Sequence, residues 1–203
     1  IMKSIDETLN EFKSLNLSEY PVDKIKSLIA EFGEFGLIIV TLHKDKVIFR
    51  ARPTNGETFS KVSELSYVPS EVNKSYKRAS SPDNTMFYGS VLPEGVESES
   101  FADVRVVGAF ECTPFLRNKS LDGEQELAYW KWVVTEDIPL LAIVHHKDFL
   151  AKTEYIEGMN EGFQKFIKAN PEQEEKTVKI LDFLASEFAK ESTDNEYDYL
   201  ISA

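Results

Sequence analysis

Val47-Ile48-Phe49-Arg50-Ala51-Arg52, closed by Pro53, is the stretch on which the fold reading turns. β-branched and aromatic residues fill it, and a proline stops it, as in a strand. Strand alternation puts Ile48, Arg50 and Arg52 on one face and Val47, Phe49 and Ala51 on the other. One face therefore carries two arginines. Just upstream, residues 37–42 form a continuous apolar run rich in β-branched types, which predicts a buried strand. Residues 43–46 read as the turn between the two.

Moving outward, the period changes. Residues 5–12 predict a short amphipathic helix with Ile5, Leu9 and Phe12 on one face. Tyr20-Pro21 breaks it, and Pro21 suits the first turn of a second helix whose apolar side holds Ile25, Leu28, Ile29 and Phe32. On the other side, residues 54–84 are polar and rich in turn signals, a length of loop that is often functional. Residues 85–90 predict a strand. Residues 101–111 fit helix or strand: Val104, Val106 and Val107 favour a strand, whereas Ala102, Ala109 and Glu111 leave a helix open. Residues 127–134 and 139–144 predict two strands of a hairpin around Thr135-Glu136-Asp137. Residues 155–168 and 171–190 predict amphipathic helices, the second with Pro171 in its first turn.

Helices, then strands, then helices point to an α+β fold with a central, mostly antiparallel or mixed sheet and helices at both ends. The expected organisation is a helical segment, 1–36, packed on a main domain, 37–203, whose C-terminal helices cover 155–190.

Composition narrows the function. The 203 residues are 42% apolar, enough for a packed core. The formal charge is −12, from 23 Lys+Arg against 35 Asp+Glu, which disfavours general nucleic-acid binding. One cysteine, Cys112, rules out a disulfide scaffold within the chain and fits a reducing compartment. Residues 1–10 are mixed polar, without a signal-peptide pattern. The longest apolar runs, 36–42 and 138–144, fall far short of the about 20 residues a membrane helix needs. A cytoplasmic protein without membrane attachment is expected. His43, His145 and His146 have no ligand-like spacing, so no metal site is expected. No glycine-rich dinucleotide fingerprint or P-loop is present.

The candidate site draws on the middle of the chain. Arg50 and Arg52 can clamp a phosphate or carboxylate through charge-assisted hydrogen bonds, or can simply form a solvated face. Arg78, beside Ser80 and Ser81, offers a second basic group on a loop. Tyr88, followed by Gly89-Ser90, can stack on a planar base where glycine permits close approach. Glu111, flanked by Phe110 and Cys112, is costly to bury unless it is paired with an arginine or works in a pocket. Trp130 and Trp132 share a strand face, as core or interface residues, with ligand stacking as the lesser alternative. These groups imply a pocket for an anionic, nucleotide-like ligand.

The order of Ile48-Phe49-Arg50-Ala51-Arg52, Glu64-Leu65-Ser66-Tyr67, Lys77-Arg78-Ala79-Ser80, Met86-Phe87-Tyr88-Gly89-Ser90 and Ala109-Phe110-Glu111 resembles the RES domain family over roughly residues 47–145. The resemblance implies a fold similar to ADP-ribosyltransferases and NAD as substrate. It also implies an enzyme that cleaves the nicotinamide–ribose bond, by hydrolysis or ADP-ribosyl transfer, as the toxin of a toxin–antitoxin pair with a helix-turn-helix antitoxin as partner. Carried over, Glu111, Arg50, Tyr88 and Ser202 would be catalytic, and Arg52, Arg78 and Ser90 would contact NAD. The family's Gly-Arg-x-Asn pattern reads here as Lys77-Arg78-Ala79-Ser80, lacking the Gly and the Asn. A non-catalytic nucleotide-binding or protein-interaction module on the same fold is the alternative, and an oligomer is compatible with either.

Overall fold

The computed structural model describes residues 3–74, 80–91, 101–118, 120–145, 147 and 154–190. Along the chain run α1 (Ile5–Lys13), α2 (Val22–Glu31), β1 (Ile39–Leu42), β2 (Val47–Pro53), β3 (Ser90–Val91), α3 (Phe101–Cys112), α4 (Pro114–Arg117), β4 (Leu127–Val133), β5 (Ile138–Leu141), α5 (Glu154–Ala169) and α6 (Glu174–Ala189). The fold is α+β, with helices towards both ends and strands between them. Among the described residues its strands form two small sheets, β1–β5 and β3–β2–β4, where one central sheet was expected.

The chain divides into two compact units. One comprises Ile1–Val40, Ser70–Thr85 and Leu140–Ala203; the other comprises Thr41–Pro69 and Met86–Pro139. The N-terminal helices share their core with α6.

In the first unit, Ser4 starts α1 with a reciprocal cap. Its hydroxyl accepts from the Glu7 amide at 3.2 Å, and the Glu7 carboxylate accepts from the Ser4 amide at 2.7 Å. The 3.6-residue period then buries Leu9 and Phe12 of α1 against Ile25 and Leu28 of α2 and Ile180 and Phe183 of α6. Phe12 stacks on Phe32 at 5.5 Å between centroids and meets Phe183 at 5.4 Å. Each such side chain contributes about 1.5–3 kcal/mol by leaving water. A second cluster joins Met159, Phe163 and Ile167 of α5 to Leu181 of α6 and Ala142. Gly36 sits where its amide donates to Thr177 Oγ1 at 3.2 Å, and a Cβ there would lie 2.4 Å from the Phe166 ring.

The run 37–42 is not a buried strand. Only Ile39–Leu42 is paired, within a two-stranded sheet. Ile38 and Val40 pack against the second cluster, while Leu37 and Ile39 are exposed. A continuous apolar run implies two covered faces, and here only one is covered.

In the second unit, β2 is the middle strand of an antiparallel sheet. It pairs with β4 from Val47↔Val133 to Pro53↔Leu127, and with β3 through Ile48↔Val91 and Phe49↔Ser90. The predicted strand at 85–90 is thus reduced to Ser90–Val91. The predicted hairpin of 127–134 with 139–144 is also corrected, since β4 pairs with β2 and β5 with β1. The reason lies at the β1–β2 turn, which captures the intervening residues. Asp45 donates to the Val134 carbonyl at 2.8 Å, Val134 to that of Lys46 at 2.9 Å, and Lys44 to the Asp137 carboxylate at 2.8 Å.

Residues 101–112 resolve as helix α3, packed on β2. Gly108 allows the approach: a Cβ there would sit 3.1 Å from the Ala51 Cβ. Cys112 Sγ donates to the Ala51 carbonyl at 3.1 Å, and Tyr129 Oη to that of Arg105 at 2.9 Å. Valines at 104, 106 and 107 are tolerated because strand preference is set by the neighbours a side chain meets. Val104 is buried, whereas Val106, Val107 and Phe110 are exposed.

Candidate functional site

Alternation along β2 separates two environments. Ala51 meets α3. Arg50 and Arg52 point to the other face, as expected from the sequence. The β4 register sets Trp130 opposite Arg50 and Trp132 opposite Ile48, so both tryptophans join the arginine face. Two phenylalanines from flanking segments complete it. The Arg50 guanidinium lies over the Phe87 ring at 4.9 Å, and that of Arg52 over Phe59 at 5.4 Å. Phe87 meets Trp132 edge-on at 5.5 Å, and Phe59 meets Trp130 edge-on at 6.2 Å. The result is two cation–ring–indole stacks side by side.

The two arginines differ in their partners. Arg52 donates through Nη1 to the Glu64 carbonyl. Arg50 is half-buried; its Nη1 is buried and finds no acceptor among the described residues. Burial, and then the charge of Arg52, push the Arg50 pKa below the usual arginine value.

Beside Arg52 opens a cleft of about 610 Å³, lined among others by Phe59, Ser63, Glu64, Ser66 and Tyr67. Its wall is the turn Val62–Leu65, anchored by Leu65, which is 2% exposed. Glu64 holds this turn: its carboxylate accepts from the amides of Ser60 at 2.8 Å and Lys61 at 2.9 Å. The Lys61 amide, then that of Ser60, keeps the Glu64 carboxyl below the ordinary glutamate range. That carboxylate is engaged structurally.

The structure brings Arg50 and Arg52 onto one face of β2, and Tyr88 follows Phe87, whose ring meets Arg50. Tyr88 is 49% exposed and precedes β3 rather than lying within a strand. Ser90 pairs with Phe49 in the sheet. Glu111 stands in the last turn of α3, exposed, and forms no ion pair with Arg50. The expected cost of burying it does not arise, because its apolar neighbours belong to a helix with one side in solvent. Arg78 and Ser202 lie outside the described residues. Among the described residues, no group of three or more His, Cys, Asp or Glu could hold a metal ion, and no helix is long and apolar enough to cross a membrane.

No family model, curated protein or solved structure matches the chain.

Phe59 and Phe87 are the site residues that sequence reasoning did not single out. Phe59 lies in a stretch read as loop, and Phe87 in a run read as a strand whose candidate residue was Tyr88. Trp130 and Trp132 could be placed beside the arginines only with the β2–β4 register in hand.

Proposed function

We propose that the Arg50–Arg52 face of the second unit binds a nucleotide-like anion, and that the ligand class is NAD. The observation that carries this reading is Arg50: a half-buried cation beside a second cation, with a buried N–H that has no acceptor among the described residues. Buried polar groups are normally satisfied, so such a donor favours an acceptor brought by a ligand. An anion would also offset the repulsion between Arg50 and Arg52. The rings of Phe59, Phe87, Trp130 and Trp132 provide flat apolar area for a base or nicotinamide. The cleft beside Arg52 has a volume in the usual range for small-molecule sites, about 300–1,000 Å³. The choice of NAD among nucleotides rests on the resemblance in residue order.

Cleavage of the nicotinamide–ribose bond would need a carboxylate beside the developing ribosyl cation. Glu111 is the glutamate that the resemblance implies. Its helix covers the face of β2 opposite Arg50, so the geometry supports binding more strongly than turnover. The test is calorimetric titration of the full chain with NAD, paired with an assay for free nicotinamide. Binding with nicotinamide release supports the enzyme, and binding without it supports a nucleotide-binding module. No heat change with NAD or ADP-ribose up to millimolar concentration would overturn the proposal.

A further inference from the structure

A second orphan donor lies on the same face. Trp132 Nε1, like Arg50 Nη1, is buried without a hydrogen-bond partner among the described residues. The register makes the two side chains diagonal neighbours, since Arg50 pairs with Trp130 and Trp132 is two residues further along β4. Phe87 links them, lying 4.9 Å beneath the Arg50 guanidinium and 5.5 Å from the Trp132 ring. Guanidinium and indole N–H groups can only donate. Two buried donors with no acceptor therefore select a group that only accepts, and one of them adds positive charge.

We infer that Arg50 Nη1 and Trp132 Nε1 together hold one oxyanion of the ligand, a phosphate-type oxygen, at the edge of the Phe87 ring. This rests on the anion-binding reading of the face and adds Trp132 as a specificity-determining residue. Tryptophan supplies what phenylalanine cannot, a neutral donor directed at the same oxygen as a cation. A ligand lacking the oxyanion leaves both donors unsatisfied and is rejected. Phe87 is carried by residues 86–89, which precede β3 and expose Met86 and Tyr88. The oxygen reaches the donors only if that segment shifts away from β2.

Indole N–H signals test this directly. The full chain has two tryptophans, so a ¹⁵N-labelled sample gives two such resonances, and Trp132→Phe assigns them. Titration with sodium pyrophosphate should move the Trp132 signal downfield, and nicotinamide, which lacks phosphate, should leave it in place. Trp132→Phe keeps an aromatic ring, removes the N–H, and should weaken pyrophosphate binding about tenfold, the loss expected for one hydrogen bond to a charged group. If Arg50→Gln abolishes pyrophosphate binding while the Trp132 signal stays fixed and Trp132→Phe binds within twofold of the parent, the shared-oxyanion inference is wrong and the anion-binding reading stands. If the unaltered chain binds no pyrophosphate, both are wrong. Should Trp132→Phe fail to fold, Trp130→Phe assigns the two signals, and the shift of the Trp132 indole decides alone, with its absence counting against the inference.

Discussion

Gly89→Ala should push the segment carrying Phe87 and Tyr88 away from β2. An added Cβ would stand 2.4 Å from Ile48 Cγ2, 3.1 Å from the Phe87 ring and 3.2 Å from the Phe49 carbonyl oxygen. Ile48 is β-branched and stiff, and the carbonyl belongs to the strand ladder, so neither yields easily. Overpacking of this kind costs typically about 1–3 kcal/mol. The lower end applies here, because among the described residues β3 pairs through only two positions. At about 1 kcal/mol, the melting temperature of a chain this size falls by roughly 2–4 °C. The site should change more than the fold: Phe87 would leave Arg50 and Trp132, exposing the indole. The assay is a thermal melt followed by far-ultraviolet circular dichroism, with tryptophan emission recorded before heating. A lower melting temperature with red-shifted emission is expected. An unchanged melting temperature together with unchanged emission would refute the close packing of this segment on β2.

Two further substitutions probe the first unit. Gly158 lies inside α5, and a Cβ added there would meet nothing within 4 Å, so Gly158→Ala should stabilise the chain by about 0.5–1 kcal/mol through helix propensity, read as a higher denaturant midpoint at unchanged slope. Thr177 is 1% exposed and accepts from the Gly36 amide, so Thr177→Val should leave that buried donor unsatisfied and cost about 1–3 kcal/mol by the same measurement.

Much of the fold was legible because strong periodicity marks it. The apolar faces of α1, α2, α5 and α6 follow from Leu9, Phe12, Ile25, Leu28, Phe163 and Leu181 at helical spacing, and β2 follows from alternation closed by Pro53. What failed depended on partners remote in sequence. The pairing of β4 with β2 is set by hydrogen bonds from the β1–β2 turn to Val134 and Asp137, which no local pattern announces. Residues 101–112 became a helix because Gly108 and Cys112 fit against Ala51, a contact more than fifty residues away in the chain. The site divided in the same way. Alternation alone put Arg50 and Arg52 on one face. The rings over them came from loops, and Glu111 reads as enclosed in sequence because its neighbours are apolar on a helix that leaves Val107 and Phe110 exposed.

The central claim is that Arg50 offers a half-buried donor to an anionic nucleotide. Calorimetric titration of ADP-ribose into the parent chain and into Arg50→Gln tests it most directly, at low and at physiological salt. Binding by the parent should weaken with salt, and Arg50→Gln should lose at least tenfold in affinity without a matching loss of fold. Equal affinity in the two chains, or no binding by the parent at either salt concentration, would contradict it.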